Sequence, residues 1–275
     1  MMLMKSKYCT FVSIIIRRRR EGDPSMTKTV GLIGSGNIGG AVARLAVAAG
    51  LDVVLSNSRG PETLADLVAE LGPRARAATP EEAARAGDLV VATVPLLAYE
   101  QLPASALAGR TVIDTTVYYP YRDGRIEELD AGALTSSQLV QRHLAGSRVV
   151  KTFTNLDFRR LFTLARPVGA ADRSALAVAG DDAEAKARVT DFLDVIGYDA
   201  VDLGTLADSW RIGPNTPIHV QPYLGAWPEG LSTAEERGRW FFQAPGVPVP
   251  AARVRELIAS AVPVPAGGPT PPSAA

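Results

Sequence analysis

The stretch Thr29-Val-Gly-Leu-Ile-Gly34-Ser-Gly36-Asn-Ile-Gly39 constrains the fold of this chain more than any other. A short apolar run, three spaced glycines and an alanine-rich continuation predict a buried strand at Thr29–Ile33, a tight turn, and a helix over Asn37–Ala49. Each glycine has its own duty: Gly34 permits the turn, Gly36 lets backbone approach a diphosphate, and Gly39 lets helix and strand pack closely. The unpaired N–H groups and the dipole at such a helix start favour negative charge. Gly34, Gly36 and Gly39, with the helix start that they open, are therefore expected to hold the phosphates of a dinucleotide.

One strand later stands Leu55-Ser56-Asn57-Ser58-Arg59. An NAD-binding chain usually has an Asp or Glu at this strand tip to bond the ribose 2′-hydroxyl. Here the tip is hydroxylic and basic, and Asp52 lies at the other end of the strand. A carboxylate would repel a 2′-phosphate, whereas Ser and Arg donate to it and Arg can do so with two parallel bonds. Asn57, Ser58 and Arg59 thus favour NADP over NAD.

From Lys28 onward short β-branched runs alternate with longer helical stretches, the pattern of crossover units building a parallel sheet. Further strands are predicted at Val53–Ser56, Leu89–Thr93, Thr111–Asp114 and Arg148–Thr152, and their continuous apolar character says that both faces are covered. Helices are predicted at Glu62–Leu71, Pro80–Ala86 and Ser136–Leu144, each followed by a glycine. A further helix runs from Asp181-Asp182 to Ile196, between strand-like Ala175–Ala179 and Asp199–Leu203. The fold class is α/β: a Rossmann-type parallel sheet over 26–170, with a small C-terminal α/β segment over 171–245.

Lys plus Arg and Asp plus Glu cancel at 29 each, so no global field holds the chain on nucleic acid or an anionic membrane, and small molecules are the expected partners. A single cysteine, Cys9, excludes an internal disulfide framework and a thiolate metal cluster, and it suits a reducing cytoplasm. Residues 1–25, with Phe11–Ile16 followed by Arg17–Arg20, fit neither an export signal nor a spanning helix; they are expected to be an extension without a structural task. Residues 261–275 are almost wholly Pro, Ala, Gly, Ser, Val and Thr, a composition expected to stay flexible.

Further motifs follow in order: Thr93-Val94-Pro95, Val149-Val150-Lys151-Thr-Phe-Thr-Asn155, the Gly180-Asp-Asp helix start, and Val201-Asp-Leu-Gly204 leading to Thr216-Pro217. With the glycine turn and Ser58-Arg59 they resemble, over about residues 28 to 220, the NADPH:coenzyme F-420 oxidoreductases. The resemblance implies reversible hydride transfer between NADPH and an 8-hydroxy-5-deazaflavin, with the two rings stacked in a cleft at the strand ends. Thr93, Val94 and Pro95 would lie along the nicotinamide, Ser35, Asn37 and Ile38 would hold the diphosphate and the facing ring, and the C-terminal segment would wall the second coenzyme. A homodimer is likewise what the family implies. The chain departs from the family at Thr154, where the family carries a histidine, and at Trp210 beside Arg211, where it carries an arginine.

Thr154, Asn155, Trp210, Arg211, Asn215 and Thr216 are the expected wall of the second ligand; Trp and Arg together can stack on a planar ring. No metal-ligand spacing, P-loop, carboxylate pair or Ser-His-Asp order is visible, and neither His143 nor His219 stands beside a nucleophile. Hydride passage between two carbon centres needs proximity and orientation more than proton transfer. A ketone or imine reductase would need a donor near the substrate heteroatom, for which His219 and Tyr118, flanked by Tyr119 and Tyr121, are the candidates. Such enzymes usually add a long helical domain, for which too little chain follows residue 170. A third reading is a non-catalytic NADPH-binding sensor.

Overall fold

The computed structural model describes residues 27–263; the expected extension at 1–25, with Cys9 and Arg17–Arg20, and most of the 261–275 tail lie outside them. Eight strands form one sheet: β1 (Thr29–Ile33), β2 (Asp52–Ser56), β3 (Ala75–Ala77), β4 (Leu89–Ala92), β5 (Thr111–Asp114), β6 (Arg148–Lys151), β7 (Ala175–Gly180) and β8 (Asp199–Gly204). Their order is β3-β2-β1-β4-β5-β6-β7-β8. All neighbours pair in parallel except β6 and β7, which run antiparallel through Val150 against Gly180 and Lys151 against Ala179. The 171–245 segment therefore extends the dinucleotide sheet, through β7 and β8.

Alternate strand residues feed two cores, as the two-residue period of a strand requires. Val30, Leu32, Leu89, Val91, Ile113 and Val150 face one cluster with the helices Asn37–Ala48 and Ala183–Ile196. Ile33, Val90, Ala92, Val112 and Val149 face the other, where Leu139 and Val140 of the Ser136–His143 helix pack. Both faces are covered, which is why the strands are apolar without interruption.

Local signals explain most boundaries. Thr79 and Thr135 cap their helices through reciprocal bonds with Glu82 and Gln138, and Asp182 caps the helix that ends on Gly197 in the left-handed conformation. The stretch expected as one helix over Glu62–Leu71 begins instead as a 3₁₀ turn at Pro61–Leu64 and becomes α-helical at Ala65–Leu71. Several elements escaped the sequence reading, among them β3, the helices Phe158–Thr163 and Ala234–Gln243, and the last helix. β3 has only three residues, with exposed Arg76 at its centre, and the Ala251–Ala259 helix sits in a proline-rich stretch, anchored by buried Val254 and Leu257. No helix among the described residues is long and apolar enough to cross a membrane.

Candidate active site

Strand order reverses between β1 and β4, and ligands of such sheets bind outside the carboxyl ends of the strands there. Gly34 turns the chain off β1 with φ +97°, a conformation that side chains rarely adopt, and the Thr93 hydroxyl donates to its carbonyl from the end of β4. A Cβ on Gly39 would collide with that same Gly34 carbonyl and with the Thr93 hydroxyl. A Cβ on Gly36 would meet nothing within 4 Å. Gly36 is also the N-cap of the Asn37–Ala48 helix, and no side chain caps it. Open space over bare N–H groups fits a diphosphate.

Ser35 is fixed by a 3.0 Å bond from its hydroxyl to the Ser56 carbonyl, which ties the turn to the end of β2. At that tip Asn57 folds the loop, accepting from the Arg59 N–H at 2.9 Å and donating to Thr63 at 2.8 Å. Ser58 and the Arg59 guanidinium are exposed and have no side-chain partner among the described residues. They stand beside the glycine turn with their donors uncommitted, as a 2′-phosphate requires. Asp52 is at the far end of β2, paired with Arg74 at 3.0 Å.

A cleft of about 920 Å³ adjoins the ends of β5 and β6. Thr116 and the tyrosines 118, 119 and 121 line it after β5, Lys151 and Thr154 at and beyond β6, and Ser209, Trp210 and Asn215 from the segment after β8. The expected wall divides. Thr154 and Trp210 face the cleft, while Arg211 stacks its guanidinium 4.5 Å from the Trp210 ring centre. Thr216 is buried and donates to the Gly213 carbonyl at 2.7 Å. Asn155 is fully buried, and neither of its side-chain polar atoms has a partner.

The described residues hold three non-glycine residues at positive φ: Phe153 and Asn215 at 65° and Val220 at 60°. They are neighbours of Thr154, Thr216 and His219 respectively. Such backbone costs about 1–3 kcal/mol each and persists where surrounding contacts over-determine it, most often at functional sites. Here a bond of 2.6 Å from the Val220 N–H to the Asn155 carbonyl binds two of these segments together.

His219 and Tyr119, a hundred residues apart in sequence, meet at 3.2 Å between Nε2 and the phenol oxygen. Burial holds His219 down at about 4, against partial support from the Ile212 and Thr154 carbonyls, so its ring is neutral at physiological pH. Burial also raises the Tyr119 phenol. Tyr118 is spent on its loop: its hydroxyl lies 2.8 Å from the Asp130 carboxylate and 3.1 Å from the Gly124 carbonyl, the two acceptors for its one proton, and accepts from the Ile126 N–H at 3.0 Å. His143 lies away from the cleft, its ring nitrogen 3.0 Å from the Leu102 carbonyl. The residue that sequence reasoning missed as part of the floor is Lys151, and the available signal was a lysine following two buried valines at the carboxyl end of the strand.

The sequence profile described as "NADP oxidoreductase coenzyme F420-dependent" matches residues 29–118. The chain is 27% identical over 217 residues to Metalloreductase STEAP3 of Rattus norvegicus; the match takes in 76% of this chain and 41% of that protein, so less than half of that relative's length is spanned. Among solved structures, a hypothetical protein of Sinorhizobium meliloti superposes with a TM-score of 0.61 at 27% identity, covering 72% of this chain and 95% of that one. A protein of Arthrobacter sp. FB24, whose name assigns it provisionally to the F-420-dependent NADP reductases, shares the fold at a TM-score of 0.55 and 23% identity, covering 66% and 87% of the two chains. The profile ends at residue 118: over that part the chain resembles the coenzyme F-420-dependent NADP oxidoreductases, and together the comparisons support an NADP-dependent oxidoreductase.

Proposed function

We propose that this protein transfers hydride between NADPH and a deazaflavin coenzyme of the F-420 kind. The observation that carries the reading is the cleft of about 920 Å³ adjoining the strand ends, faced by tyrosines and by Trp210 with Arg211 stacked behind it, a shape and chemistry suited to a planar tricyclic ring. NADPH, when bound, supplies the hydride. The glycine turn and Ser58-Arg59 would set its position, Thr93, Val94 and Pro95 would lie along its nicotinamide, and Trp210 would back the second ring. The family name supports this reading, and the lone cysteine suits a cytoplasmic setting.

A second reading is reduction of a small carbonyl or imine compound. The Tyr119–His219 pair favours it, because a phenol held against a neutral imidazole can give a proton to a substrate heteroatom. Purified protein mixed with NADPH and coenzyme F-420 should bleach the coenzyme's near-ultraviolet-visible band in step with NADPH consumption. Tight NADPH binding with no bleaching would turn the assignment to the second reading.

A further inference from the structure

The floor of the cleft holds a buried ion pair for which the fold alone gives no reason. In-register pairing of β5 and β6 sets Asp114 directly beside Lys151, with side chains 0% and 4% exposed. Asp114 is saturated from within the protein: it accepts from Ser137 at 2.7 Å, from Lys151 at 3.1 Å and from the Thr116 N–H at 2.8 Å. Lys151 gives a second N–H to the Thr116 carbonyl. An ammonium has three donors, and Lys151 lines the cleft, so one N–H is left for whatever enters it.

Two hydroxyls share that condition. Thr116 and Thr154 are 1% and 5% exposed, their hydroxyl oxygens have no hydrogen-bond partner among the described residues, and both residues line the same cleft. An unmet buried hydroxyl costs about 1–3 kcal/mol, which a ligand acceptor would relieve. A buried ion pair kept for stability alone gains little over packed apolar residues, so its retention is explained when the charge has something to meet.

Resting on the proposed hydride transfer, we infer that Lys151, held in place by Asp114, is the charge-stabilising group for the hydride acceptor. Its free N–H, with the Thr116 and Thr154 hydroxyls, takes the conjugated nitrogen–carbonyl edge of a planar ring. In the reaction a carbon–hydrogen bond of NADPH breaks and a new one forms at a carbon of the acceptor ring. The π pair displaced there moves onto the nitrogen–carbonyl edge, NADP⁺ is the oxidised product, and the reduced ring, an anion, then takes one proton from solvent. A fixed cation at that edge meets charge that exists only after hydride has moved, the kind of contact that speeds the step instead of merely tightening binding. Burial lowers the affinity of Lys151 for its proton, and Asp114 opposes that fall.

The test compares two probes without turnover: 5-deazariboflavin and its dihydro form, titrated by fluorescence at mildly alkaline pH into the full chain with no nucleotide present, so that no hydride can pass. Wild type should bind the reduced, anionic ring at least tenfold more tightly than the oxidised ring. Lys151→Met alone would strand the Asp114 carboxylate, so the decisive protein is Lys151→Met combined with Asp114→Asn. It should keep its NADPH affinity, bind both rings alike, and lose about a hundredfold in kcat with coenzyme F-420. Thr116→Val with Thr154→Val, which leaves the ion pair intact, should weaken both rings several-fold. If F-420 is reduced and the double variant retains the preference for the reduced ring, the role of Lys151 is overturned while the hydride reading stands. If F-420 is not reduced but the preference is present and lost in the variant, the acceptor is wrong and Lys151 stands. Binding of neither ring to wild type sinks both.

Discussion

The two halves of the crevice are built on opposite principles. At β1, β2 and β4 the ligand-facing surface is mostly backbone: a glycine turn, an uncapped helix start and a strand tip with free donors, much of it within thirty-one residues. At β5, β6 and beyond, the surface is side chains drawn from Thr116, Tyr119, Lys151, Thr154 and Trp210, on segments separated by up to about a hundred residues, with strained backbone at three of its joints. A backbone site tolerates little change because its geometry is the site. A side-chain site can change its ligand by changing residues, as at Thr154 and Trp210, where the chain departs from the pattern of the family it resembles.

The sharpest way to break the backbone half is Gly39→Val. The added carbons meet the Gly34 carbonyl and the Thr93 hydroxyl, so the turn must open. We expect a loss of about 4 kcal/mol in stability, seen as a melting temperature lower by about 10 °C, and NADPH binding weakened a hundredfold or more. A variant that melts and binds like wild type would show that the turn is not what holds the diphosphate.

The side-chain half should show itself in pH. The pKa of His219 in the folded state, about 4, lies below the ordinary 6.5. The unfolded chain therefore binds the proton more readily. The stability that follows from keeping the ring neutral is complete above pH 6.5 and is lost as pH falls toward 4. The loss should be on the order of 3 kcal/mol across that window in denaturant titrations. His219→Gln should flatten it, and an unchanged pH profile in that variant would mean that other groups cause the loss.

The smallest effect belongs to the strand tip, where the contact is exposed and screened. Arg59→Asp should weaken NADPH at least tenfold while changing NADH affinity little, read by fluorescence titration at low salt. Equal loss for both nucleotides would place the 2′-phosphate elsewhere.

Legibility followed the same division. The turn, the strand tip and seven of the eight strands were readable because their signals are local: period, glycine spacing and a charge at a fixed offset. β3 and the Ala251–Ala259 helix were not, because one is too short for a pattern and the other owes its place to Val254 and Leu257 packing on the sheet. The wall was half readable. Thr154 and Trp210 were named and line the cleft, but no spacing could show that His219 meets Tyr119 or that Lys151 is paired across two strands.

By itself the sequence determined an α/β chain with a glycine turn suited to a dinucleotide, and it carries the expectation of the phosphorylated form at the β2 tip, since those signals depend on neighbours within one turn or one strand. Only the tertiary structure decided which distant side chains share the acceptor cleft. Parallel pairing of β5 with β6 brings Asp114 against Lys151, and the return of the chain after β8 brings Trp210 into the cleft that Lys151 lines and His219 against Tyr119. Register and packing, which no local pattern encodes, make that half of the site.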